Sequence, residues 1–115
     1  MEQAVLVYFP LSDVGFGSAW ELEVLGGLGD DLRETVAEAD VGEFDGHDVG
    51  EGQCTLYLYG PDADELFDAI EPLLLQQNWP RDVVAVKRYG APGAAEVRVP
   101  VDKPGRTALW PCRLE

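Results

Sequence analysis

VGEFDGHDVGEGQCTLYLYGPDAD, from Val41 to Asp64, carries a turn-bounded strand pair and the start of a helix. Within it Gln53–Tyr59 is the clearest strand pattern in the chain. Cys54, Leu56 and Leu58 fall on one face, and Thr55, Tyr57 and Tyr59 on the other. Ahead of it, Val41–Val49 reads as an irregular strand in which Asp45-Gly46 is either a two-residue turn or a bulge. Gly50-Glu51-Gly52 turns one strand into the next. Behind it, Gly60-Pro61 is expected to open a helix. Proline fits the first helical turn, and Asp62, Asp64 and Glu65 sit where the helix dipole favours acids. Ala63, Leu66, Phe67, Ile70, Leu73 and Leu74 then form one apolar stripe, with Pro72 expected to kink or restart the helix.

Working outward, Ala4–Phe9 (AVLVYF) is a β-branched and aromatic run that reads as a strand buried on both faces. Leu11–Gly17 is a loop. Ser18–Ala39 reads as a helix on Leu25, Leu28, Leu32 and Val36, although Trp20, Leu22 and Val24 alternate with Glu21 and Glu23 and leave a short strand open there. Gly26-Gly27 and Gly29 weaken the middle of that helix. Val83–Tyr89 and Glu96–Val101 are two further strands. The order β-α-β-β-α-β-β predicts an α+β, ferredoxin-like (split βαβ) two-layer sandwich, with an antiparallel sheet and both helices on one face. Its usual strand order centres the first and third strands, the two most apolar ones here. Residues 1–101 are expected to form a single domain carrying a fifth strand. Residues 102–115 are expected to be an extended tail packing Leu109 and Trp110 back on it.

A chain of 115 residues with 46% apolar side chains is one domain with a real core. No apolar run is long enough to span a bilayer, and Glu2 stands where a signal peptide has a base, so a cytoplasmic protein is expected. The net charge of −14 is unevenly placed. Residues 1–75 hold 18 acids against one base, Arg33, whereas residues 76–115 hold seven bases against four acids. Such a field repels nucleic acid and anionic membranes and attracts basic partners or cations.

The acidic loop and strand match few known site chemistries. Neither Gly46 nor Gly50 frames an EF-hand, because the acids do not fall at the required positions. One histidine and no C-x-x-C pair exclude a familiar zinc site. Glu43, Asp45 and Asp48 remain only weak cation candidates, and no cofactor is expected. No nucleophile elbow or P-loop occurs, so no catalytic residue is assigned. Asp45 with Asp48 could do acid–base work, but a solvated turn is the preferred reading of that spacing. Cys54 reads as a small core residue and Cys112 as an exposed thiol. If Cys54, Leu56 and Leu58 lie under the helices, Tyr57 and Tyr59 occupy a helix-free face. That face would meet a basic partner, a second copy in a homodimer, or the tail.

GEFDGHDVGEG, LYLYGPDADELF and the Arg88–Gly90 RYG, with the opening VYFPLSD and FGS at Phe16–Ser18, resemble a group of small, uncharacterised bacterial proteins. That group carries G-E-x-D-G-x-[DE]-x-G-x-G and Y-G-P-D-A-D. The likeness runs to about Gly90 and implies a fold without a role. His47 departs from it, standing where Asn or another polar residue is expected. The charge predicts a non-enzymatic interaction protein engaging a basic partner, comparable in size and acidity to nuclease inhibitors and immunity proteins. Its binding surface would be Glu43, Asp45, His47, Asp48, Glu51, Tyr57 and Tyr59. The alternative is a small-ligand or divalent-cation domain, enzymatic or not, centred on residues 43–52.

Overall fold

Alternating apolar residues along each strand decide which face of the sheet is covered. In β1 (Gln3–Pro10), Val5, Val7 and Phe9 are fully buried, while Leu6 and Tyr8 are half-buried. The expectation of a strand buried on both faces therefore holds throughout one face, and on the other for Ala4 but not for Leu6 or Tyr8. β3 (Gln53–Gly60) repeats the pattern with Cys54, Leu56 and Leu58 beneath the helices. A computed structural model describes residues 2–12, 18–77, 79 and 82–101. Leu109, Trp110, Cys112 and the expected tail lie outside the described residues.

The chain adds α1 (Ala19–Ala39), β2 (Glu43–Gly50), α2 (Ala63–Gln76), β4 (Val83–Arg88) and β5 (Glu96–Val101). It is an α+β fold: one antiparallel sheet ordered β2-β3-β1-β4-β5, with β1 at its centre. The two helices touch each other and share one core with the sheet. Leu25, Leu28, Leu32 and Val36 of α1 meet Leu66, Phe67, Ile70 and Leu74 of α2 there, so the region before Leu25 is helix rather than strand. Trp79 closes the core beside β1. Its ring stands edge-on to Phe9 at 5.2 Å between centroids, stacks on Trp20, and its Nε1 donates to the Pro10 carbonyl.

Both helices are capped by their own sequence. Ser18 accepts from the Glu21 amide, and the Glu21 carboxylate in turn accepts from the Ser18 amide, a reciprocal capping box. Asp40 ends α1 in the left-handed region at φ 57°. Asp62 caps α2 by accepting from the Asp64 and Glu65 amides. Pro61 therefore stands outside the helix rather than in its first turn. The side chain of Gln3 reaches across from β1 to take the Ala63 amide. α2 continues through Pro72 to Gln76.

Glu21 is the one charged side chain buried among the described residues. Besides capping α1, it accepts from the amide and hydroxyl of Ser12, fastening the end of β1 to the start of α1. Burial alone pushes its carboxyl up. The hydrogen bonds from Ser18 and Ser12 outweigh that and hold it below the ordinary value. Glu21→Ala, which strands those donors, should destabilise the fold by about 2–4 kcal/mol at neutral pH. Because the folded carboxyl lies lower than the unfolded one, its contribution is complete above pH 4.5 or so. It fades as pH falls through the lowered folded value. Urea melts of the variant and the parent chain should therefore converge in acid.

Glycines divide into required and dispensable ones. A Cβ on Gly60 would collide with the Val41 carbonyl oxygen, and one on Gly42 with the Tyr59 carbonyl oxygen, so here two backbones press directly together. A Cβ on Gly26 or Gly27 would meet nothing within 4 Å. Gly60→Ala should cost at least about 2 kcal/mol by overpacking. Gly26→Ala should raise stability by about 1 kcal/mol through helix propensity. Thermal melts of the two variants should move in opposite directions.

Candidate functional site

Strand parity and register decide which of the expected site residues meet. Glu51 and Gly52, with φ of 54° and 80°, form the tight loop between Gly50 and Gln53. Asp45 is the extra residue of a β-bulge, since Phe44 pairs with Leu58 and Gly46 with Tyr57. The bulge resolves the choice between turn and bulge at Asp45-Gly46. It also turns Asp45 toward Tyr57 and Tyr59, and these three line a shallow depression of about 410 Å³ with Gly46, His47 and Asp48.

The seven expected binding residues therefore do not form one cluster. Glu43 sits at the far end of β2, opposite Tyr59, in a second depression with Glu2 and Asp40. Glu51 sits at the hairpin loop, about 25 Å away along the strand. Glu43 and Asp48 are themselves about 15 Å apart along the strand, too far to share an ion. Among the described residues no three His, Cys, Asp or Glu side chains are grouped to hold a metal.

The best-defined polar contact in the depression is between Tyr57 and Asp48. The tyrosine hydroxyl donates to Asp48 Oδ2 at 2.9 Å. Burial raises the Tyr57 pKa, and the Asp48 hydrogen bond and charge raise it further. Beneath Asp48, Cys54 is pushed up to about 11 by burial and then by the Asp48 charge, so its thiol is a core group and a weak nucleophile.

The face on which Tyr57 and Tyr59 stand is wider than the sequence indicated. Tyr8 and Leu6 of β1 share it, since Tyr8 pairs with Thr55 and Leu6 with Tyr57. Val84 and Val86 of β4 continue it, as the partners of Tyr8 and Leu6 on the other side. Among the described residues no element lies over this face. Arg88 and Arg98 stand at its β4–β5 side, and Arg98 lines a depression with Tyr8, Pro10 and Val84. The alternation of Leu6 and Tyr8 was visible in the sequence, but the face they occupy depended on strand order.

Two further features escaped the sequence reading. A groove of about 600 Å³ runs between α1 and β2, floored by Gly26, Gly27 and Gly29 and walled by Arg33, Phe44 and His47. At the other end of the fold, Asp64 joins β4 to α2. Lys87 Nζ lies 2.9 Å from its Oδ1, and the Tyr89 hydroxyl donates to the same oxygen at 2.7 Å. Those hydrogen bonds lower the Asp64 pKa and raise those of Lys87 and Tyr89. Lys87 also lies over the Phe67 ring. The cluster is an exposed structural clasp.

No family model matches the chain, and no curated protein or solved structure matches it either. Among the described residues no helix is long and apolar enough to cross a membrane. The contact between Tyr57 and Asp48 is open to direct measurement. Asp48→Asn should lower the Tyr57 pKa toward its ordinary value, leaving the burial effect, as read by NMR titration of ring-labelled tyrosine.

Proposed function

We propose that this chain is a non-enzymatic protein-interaction module whose acidic side engages a basic partner. The observation that carries the proposal is the segregation of charge around a sheet with an aromatic face that no described element covers. From Ala19 to Gly52 the exposed charged side chains are acidic except for Arg33, which pairs with Asp30 at 3.7 Å and lies over the Phe44 ring. Packing of α1 against β2 sets Asp30 beside the β2 edge of the sheet, on which Glu43 and Asp45 are exposed. A surface with one sign of charge steers and selects oppositely charged partners. The comparison with small inhibitor and immunity proteins belongs to this reading as analogy of charge and size.

The scaffold we propose is the ferredoxin-like, split βαβ sandwich. In its support, β3 lies between β2 and β1, and β1 lies between β3 and β4, with β5 added outside. In this reading a homodimer also forms through the open sheet face, with Asp45 of the acidic side at its border.

Affinity capture from the native cell lysate tests the partner. A basic protein should be retained at low ionic strength and released as salt rises, because screening weakens exposed charge contacts. Glu38→Lys/Glu43→Lys should abolish its retention. Recovery of no partner at any salt concentration would remove the proposal.

A further inference from the structure

We infer that the two copies of the homodimer pack sheet face to sheet face about a two-fold axis that runs parallel to the strands and over β1. The inference rests on the reading of the open face as an interface between copies, and supplies its geometry.

The strand order makes such packing complete. β1 is the central strand of five, so rotation about an axis along it lays β3 over the second copy's β4 and β2 over its β5. No strand is left unmatched. The residues of β1 that fall on the axis must face their own counterparts, and on the open side these are Ala4, Leu6 and Tyr8. None is charged, so self-apposition carries no repulsion.

The registers then fix what meets off the axis. In the central row, Gly46 with its bulged neighbour Asp45, Tyr57, Leu6, Val86 and Arg98 lie side by side across the sheet. The two-fold sets Tyr57 over the second copy's β4, where Val86 is already buried, and Asp45 opposite its Arg98. Among the described residues no salt bridge engages Arg98 or Asp45 within the chain. In the next row Tyr59 and Arg88 flank Ala4, so the same rotation places each Tyr59 ring against the second copy's Arg88. Glu43 faces Glu96 only at the outer corner, where sheet twist splays two packed sheets apart.

The alternative axis is disfavoured by charge. A two-fold perpendicular to the strands would lay each strand over its own copy. Arg98 would then meet Arg98, and Glu43 would meet Asp48, at both ends of the sheet. With Arg98 on Arg98 as well as acid on acid, that arrangement is the less favourable of the two.

Five strands about 4.8 Å apart and about six residues of about 3.3 Å rise make a face on the order of 24 by 20 Å. That is at the small end for stable interfaces, and the net charge of −14 on each copy opposes association. The dimer should therefore be concentration-dependent.

Sedimentation velocity over a range of concentrations, on the full chain at fixed ionic strength, tests the geometry. The parent chain should show a reversible monomer–dimer equilibrium. Asp45→Lys should weaken it about tenfold, since one reversal strikes two symmetry-related contacts. Asp45 and Arg98 are both exposed, and circular dichroism checks that the variants fold. Asp45→Lys reduces the net negative charge, so generic repulsion predicts tighter association, the opposite result. The double change Asp45→Lys/Arg98→Glu should restore the parent affinity to within about threefold. Tighter association of Asp45→Lys would overturn the proposed axis while leaving a dimer standing. A parent chain monomeric at every concentration would overturn the dimer itself, and the face would then belong to the chain's own tail or to another protein.

Discussion

The pairing of β1 with β3, Gln3 opposite Gly60 through Pro10 opposite Gln53, is the contact on which the rest of the fold depends. It joins the most apolar strands of the chain across a separation of some fifty residues. It also creates the continuous floor of Val5, Val7, Phe9, Cys54, Leu56 and Leu58 on which both helices rest. Neither helix could bury its stripe without that floor, because helical stability in proteins comes mainly from packing an amphipathic face. β2 and β4 take their places as the outer neighbours of this pair. The helix connections follow from that order, and so does the open face.

Small devices hold β3 against its neighbours. Gly42 and Gly60 let the backbone entering β2 press against the end of β3 where no side chain fits. At the other end the Leu11 amide donates to the Gly52 carbonyl, and Glu21 ties Ser12 to the start of α1. A register slip of one residue would move Tyr57 and Tyr59 into the core and Leu56 and Leu58 into water. The acid-and-glycine block from Val41 to Asp64 is thus first a folding element. Its glycines build a close approach, a bulge and a tight hairpin loop, and its last acids cap a helix and clasp β4.

Much of this was legible in the chain. Period-two alternation marked β3, a β-branched apolar run marked β1, and period 3.6 marked the helix stripes, because each pattern reports local backbone geometry. The start of α1 was ambiguous for a physical reason: Trp20, Leu22 and Val24 alternate as a strand does, yet the capping box at Ser18 and Glu21 commits the segment to a helix. Pro61 misplaced the helix start by two residues because Asp62 offers a stronger cap than proline offers a first turn. The candidate site was less legible. Asp45 reaches Tyr57 only through a bulge, and Glu43 and Glu51, close in sequence, are drawn apart by extended backbone. Arg88 and Arg98 gave no signal, since nothing local says which face of a charged strand will border tyrosines.

The sequence by itself determined the number and type of elements, the caps, the buried face of β3, and the uneven distribution of charge along the chain. These are properties of neighbouring residues, and short-range sterics, hydrogen bonding and periodicity suffice for them. Only the tertiary structure decided that Tyr8 joins Tyr57 and Tyr59, and that acids and arginines border opposite sides of one face. Those facts depend on contacts between residues far apart in the chain, where burial of apolar surface selects one strand order from several with similar local preferences.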